Sequence, residues 1–129
     1  MKIDQTVDQL ARSAAESVRR INHLTIRGPA LPAPEVYAIL GPLEQMAYGL
    51  DQALTQISRA LDRSATIYDL YEDDPTRNPE NSIVLACVEL AAAAHCAGGM
   101  GRFLGQARAA IAGQGHLGRV PTITPIEKD

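Results

Sequence analysis

The side chains able to ligate a metal through nitrogen or sulfur are His23, His95, His116, Cys87 and Cys96. None stands at ligand spacing: there is no Cys-x-x-Cys, no His-x-x-x-His, and no Glu-x-x-His of the di-iron bundles. His95 and Cys96 are neighbours, so on a helix they point about 100° apart and one faces away from the other. No metal and no cofactor are expected. His23 has no nucleophile beside it that the sequence identifies, which leaves it no base's work. Acids are the second possibility, because helical nucleotide hydrolases hold magnesium between clustered carboxylates. The dense acids here are Asp69, Glu72, Asp73, Asp74 and Glu80, gathered around one turn rather than a cleft, and a solvated turn accounts for them. Glu72, Asp73 and Asp74 nevertheless follow a helix carboxyl end, where the dipole disfavours negative charge. Asp69, Glu72, Asp73 and Asp74 therefore form a candidate docking feature for a basic partner. The chain reads as non-enzymatic.

Arginine is the remaining chemistry. Arg19, Arg20, Arg27, Arg102 and Arg108 are the candidate contacts for nucleic acid. Against that reading stand a formal net charge of -3 and an aromatic content of 4%, which leave no global attraction and few platforms for bases. The helices are also too long for a helix-turn-helix recognition pair. A nucleic-acid-associated regulator is the alternative, and a helical interaction protein is the first reading.

The elements that position these residues follow from periodicity. The chain has 129 residues, one ordinary domain's length, with 46% hydrophobic and 21% charged residues and no tryptophan. Such an aliphatic, alanine-rich composition suits packed helices. From Asp4 onward, Val7, Leu10, Ala14, Ser17, Ile21 and Leu24 recur at spacings of three and four, predicting a helix over about 4–24. Gly28, Pro29, Pro32 and Pro34 then forbid continuation. A second helix is predicted over about 34–71, on the stripe Val36, Ile39, Leu43, Met46, Leu50, Ala53, Ile57 and Ala60, with Leu40, Ala47, Leu54 and Leu61 beside it. Pro42 lies inside that pattern and predicts a kink.

Asn78-Pro79-Glu80 is a helix start: a capping amide, a proline in the first position and an acid in the first turn. The third helix is predicted over about 79–112 on Ile83, Ala86, Leu90, Ala93, Ala97, Met100, Leu104, Ala107 and Ile111, ending at Gly113. Ala94, Gly98, Gly101 and Gly105 form a second ridge of very small residues, which permits close helix packing although each glycine costs about 1 kcal/mol of propensity. Residues 114–129 have no period and read as a flexible tail. Cys87 and Cys96 lie about 13 Å apart along one helix and cannot bridge each other.

The fold expected is all-α: an antiparallel three-helix bundle, residues 1–113, with a long helical hairpin. The first helix reaches only the linker end of that hairpin. Near the tip, Ile57, Leu61, Ile67, Tyr68, Tyr71, Ile83, Val84 and Cys87 would then form an exposed apolar surface, so completion by a homodimer through these residues is expected. The amino end lacks a signal-peptide pattern, and the uncharged run Leu90 to Gly101 is short of the roughly 20 residues that cross a bilayer. A cytoplasmic protein without membrane contact is expected, its protein partner unspecified.

Ile21-Asn22-His23-Leu24-Thr25, the proline-rich linker, Val36-Tyr37, Leu40-Gly41 and Leu50-Asp51-Gln52-Ala53-Leu54-Thr55-Gln56 together resemble a group of small, uncharacterised helical proteins of actinobacteria. The resemblance covers the first half best and implies origin rather than mechanism. Tyr68 and Glu72, four positions apart in a helical hairpin, faintly resemble small substrates of the mycobacterial-type secretion system. The Trp-x-Gly turn of that family is missing, and Tyr68 precedes the turn, so interface packing accounts better for Tyr68.

Overall fold

A computed structural model of the chain describes residues 4–121. It is all-helical, with three helices and no strand among the described residues: α1 (Val7–Thr25), α2 (Ala33–Ile67) and α3 (Pro79–Ile111). Two compact units are distinguished, Met1–Leu31 and Pro32–Asp129. Residues 122–129, half of the expected tail, lie outside the described residues, and Gln114 to Pro121 contain no helix or strand.

In the first unit, α1 starts at Val7, the first residue of its apolar stripe and three residues later than the expected boundary, because Thr6 caps it. The Gln9 N–H donates to Thr6 Oγ1, and the Thr6 N–H donates to Gln9 Oε1 at 2.9 Å, a reciprocal capping box. Asp8 pairs with Arg12 at 3.6 Å and Glu16 with Arg19 at 3.4 Å, both on the helix surface. No residue of α1 is buried, and Val7, Leu10 and Leu24 of its apolar stripe are exposed.

In the second unit, α2 is entered from Pro32 in extended conformation, with Pro34 and Glu35 in the first turn. The helix runs unbroken through Pro42, whose missing N–H leaves the Ala38 carbonyl without its ordinary donor. It stops at Ile67, four residues short of the expected Tyr71. Tyr68 is already extended, with φ -109° and ψ 149°. Hydroxyls explain the early stop: Ser64 Oγ donates to the Leu61 carbonyl at 2.6 Å and Thr66 Oγ1 to the Arg63 carbonyl at 2.9 Å. Such bonds compete with the helix ladder, and no basic residue in the last turn offsets the loss. α3 opens as its sequence dictates, with Asn78 Oδ1 accepting from the Glu80 N–H at 2.8 Å and the Asn81 N–H at 3.4 Å. Its end is not the expected left-handed glycine cap: Ala112 is right-handed, and among the described residues Gly118, not Gly113, has positive φ.

α2 and α3 pack against each other with contacts in opposite order along the chain. Glu44 lies at Gly105 and Arg108, Tyr48 at Gly101, Asp51 at Gly98, and Cys87 Sγ donates to the Ser58 carbonyl at 3.6 Å. The small ridge decides which faces meet. A Cβ at Gly101 would lie 2.8 Å from the Tyr48 ring, at Gly98 2.9 Å from Asp51 Oδ2, and at Gly105 2.8 Å from Glu44 Oε1. The predicted ridge of Ala94, Gly98, Gly101 and Gly105 thus receives α2.

That engagement sets which side of α2 meets α3, with Val36, Leu43 and Ala53 of the regular stripe half-buried beside it. Its side chains towards α3 are the flanking ridge, with Ala47 buried and Leu40, Leu54 and Leu61 half-buried, accompanied by Glu44 and Asp51. Ile39, Met46, Leu50 and Ile57 of the more regular stripe remain exposed. Among the described residues the buried apolar set is Ala33, Ala47, Ile83, Ala94 and Ala97, and no large side chain is fully buried. Four alanines and one isoleucine are a thin core, since each buried large aliphatic side chain contributes about 1.5–3 kcal/mol and alanine far less.

Candidate interaction surface

Three uncovered regions of the second unit are apolar. The first is the α2 stripe just described. The second is the side of α3 turned away from α2, where Leu85, Val88 and Phe103 are 62%, 59% and 71% exposed. The third is the segment after α2, where Ile67, Tyr68 and Tyr71 are exposed, Tyr71 most of all.

The expected tip surface is therefore present only in part. Ile57, Ile67, Tyr68, Tyr71 and Val84 are exposed, while Leu61 and Cys87 are half-buried and Ile83 is 8% exposed. Ile83 belongs to the chain's own core and is removed from the candidate interface. Its place in the strict α3 stripe put it there in the sequence, but that stripe's inner edge is the one that meets α2.

The acidic turn is organised by its own hydrogen bonds. Asp74 Oδ1 accepts from the Thr76 N–H at 2.9 Å and from Thr76 Oγ1 at 2.7 Å, and these bonds hold its carboxyl below the usual aspartate range. The Ser82 hydroxyl donates to the Glu72 carboxylate, tying the loop to the first turn of α3. Two of the four candidate docking acids thus serve the loop, although Asp74 is as exposed as Asp69 and Asp73.

The candidate arginines are divided between the two units. Arg19, Arg20 and Arg27 belong to the first unit, Arg102 and Arg108 to the second. Arg108 is committed within its own unit: Nη1 donates to Glu44 Oε2 at 2.7 Å, and the guanidinium lies 4.6 Å over the Tyr37 ring centroid and against Gly41. The bond to Glu44, with smaller help from Tyr37, raises the Arg108 pKa above its ordinary value. A guanidinium so held is poorly placed to reach a phosphate, and Arg108 is withdrawn from the candidate nucleic-acid contacts. Sequence reasoning missed this cluster. Only the register of α2 on α3 brings Tyr37, Glu44 and Arg108 together.

Among the described residues no three His, Cys, Asp or Glu side chains converge as a metal site. His95 and Cys96 border a shallow hollow on the outer side of α3, with Gly99, Met100 and Phe103.

The α3 helix meets the length and composition of a membrane span, with an 18-residue window of mean hydropathy 1.7. Counting only the wholly uncharged run Leu90 to Gly101 overlooked this, because the average tolerates an isolated charge. Only 22% of that window is buried. Yet α2 lies along it carrying Glu44, Asp51, Arg59 and Asp62, and hydrocarbon penalises such groups by roughly 2.5–3.5 kcal/mol each at a bilayer centre. Comparison with protein-family models, curated proteins and solved structures finds no match to this chain.

Proposed function

We propose that this chain is a non-enzymatic helical interaction protein that works as a homodimer and presents the assembled bundle to a further macromolecule. The observation that carries the reading is the pairing of a thin core with large uncovered apolar faces on both long helices. A helix with large apolar side chains both towards and away from its one partner, as α3 has, calls for cover that one hairpin does not provide. In this reading the fold is an antiparallel three-helix bundle in which α1 is the short member. Its 19 residues span about 28 Å against about 52 Å for the 35 of α2, so the remainder falls to a second copy. A cytoplasmic setting and an actinobacterial origin belong to the same proposal, resting on two free cysteines that cannot bridge each other and on the resemblance of the first half.

Sedimentation equilibrium at micromolar concentration tests it. A dimer mass is expected, and a folded monomer that melts cooperatively would remove the homodimer from the account.

A further inference from the structure

α2 carries a weak point at Gly41-Pro42, and one side chain of α3 spans it. Pro42 has no N–H for the Ala38 carbonyl and its ring crowds that carbonyl, while Gly41 beside it adds backbone freedom. Tyr37, Gly41 and Glu44 stand at spacings of four and three on one face of α2, Tyr37 before the missing bond and Glu44 beyond it. Arg108 reaches all three. Its Nη1 donates to Glu44 Oε2 at 2.7 Å, its guanidinium lies 4.6 Å from the Tyr37 ring centroid, and its Cζ would lie 3.6 Å from a Cβ at Gly41. The stretch before the break has little else to hold it: Ala33 is buried, Val36 and Leu40 are half-buried, and Tyr37 and Ile39 are exposed.

We infer that Gly41-Pro42 is a hinge and Arg108 its latch: with the clasp closed, residues 33–41 move as one body with the rest of α2, and with it open they leave α3 as a separate flap. The closed state is poised rather than fixed. Arg108 Nε is buried with no acceptor among the described residues, and opening returns that donor to water. The charge-assisted bond to Glu44 and the contact with the Tyr37 ring oppose this and keep the latch shut. The chain enters the second unit at Pro32, so the latch governs how firmly that entry is held. A clasp that only added stability would secure α2 equally on both sides of Pro42. A latch secures the side before it.

Amide hydrogen exchange followed by NMR on the full chain separates the two sides. Arg108→Met should accelerate exchange at residues 37–41 by about tenfold or more, with the rates at residues 50–61 little changed. Arg108→Lys keeps the charge but not the planar group, so it should give a smaller acceleration at the same residues, and it carries the same comparison should Arg108→Met unfold. Pro42 is exposed, and Pro42→Ala restores the missing backbone bond. Added to either arginine variant, it should return residues 37–41 close to their wild-type rates. Equal acceleration on both sides of Pro42, none at residues 37–41, or an acceleration that Pro42→Ala leaves in place would each overturn the latch.

Discussion

Glycine does different work at different points of the hairpin, and the residues opposite it say which. A Cβ at Gly101 would meet the Tyr48 ring at 2.8 Å, whereas one at Gly49 meets nothing within 4 Å. Gly49→Ala should therefore stabilise the chain by about 1 kcal/mol through helix propensity. Gly101→Val should destabilise it by about 1–3 kcal/mol through overpacking, both read from urea denaturation midpoints. Asp74 supplies a pH signature. Its carboxyl pKa is lowered by the bonds from Thr76, so the folded chain favours the ionised form more than the unfolded chain does. The resulting stability is present above the ordinary aspartate range and disappears as pH falls through the lowered value. Asp74→Asn should accordingly lower Tm near neutral pH and shrink the loss of Tm on acidification.

Helix starts were more legible in the sequence than helix ends or faces. Asn78-Pro79-Glu80 specified the start of α3 because each residue satisfies or forgoes a particular backbone group, and Asn78→Ala should cost about 1 kcal/mol by chemical denaturation. The end of α2 was harder to read, since apolar spacing continues through Ile67, Tyr68 and Tyr71 after the hydroxyls of Ser64 and Thr66 have begun to compete for carbonyls. Facing was harder still. The unbroken stripe of α2 looked like its inner side, but Gly98, Gly101 and Gly105 draw the flanking ridge of α2 inward instead and leave Ile39, Met46 and Leu50 at the edge. Small residues outweigh a regular stripe here because close approach yields more contact per unit length than large side chains held at a distance. The clasp of Arg108 on Glu44 and Tyr37 depends on that register and has no signature in one helix alone. Glu44→Gln and Arg108→Met should each lower Tm, and the double variant should lose less than the two losses added.

At the scale of the whole molecule, the described chain buries too few large side chains to account for long helices by its own packing, and its apolar faces point outward. A helix of the length of α2 or α3 gains stability chiefly from the faces it covers, and in the proposed homodimer association supplies that cover. Stability coupled to association depends on protein concentration, which a self-sufficient monomer does not show. Thermal melting followed by circular dichroism across a hundredfold range of concentration, with mass from sedimentation equilibrium at each, is the most direct measurement. The account predicts a dimer whose Tm rises with concentration. A monomer with one concentration-independent Tm throughout would contradict it.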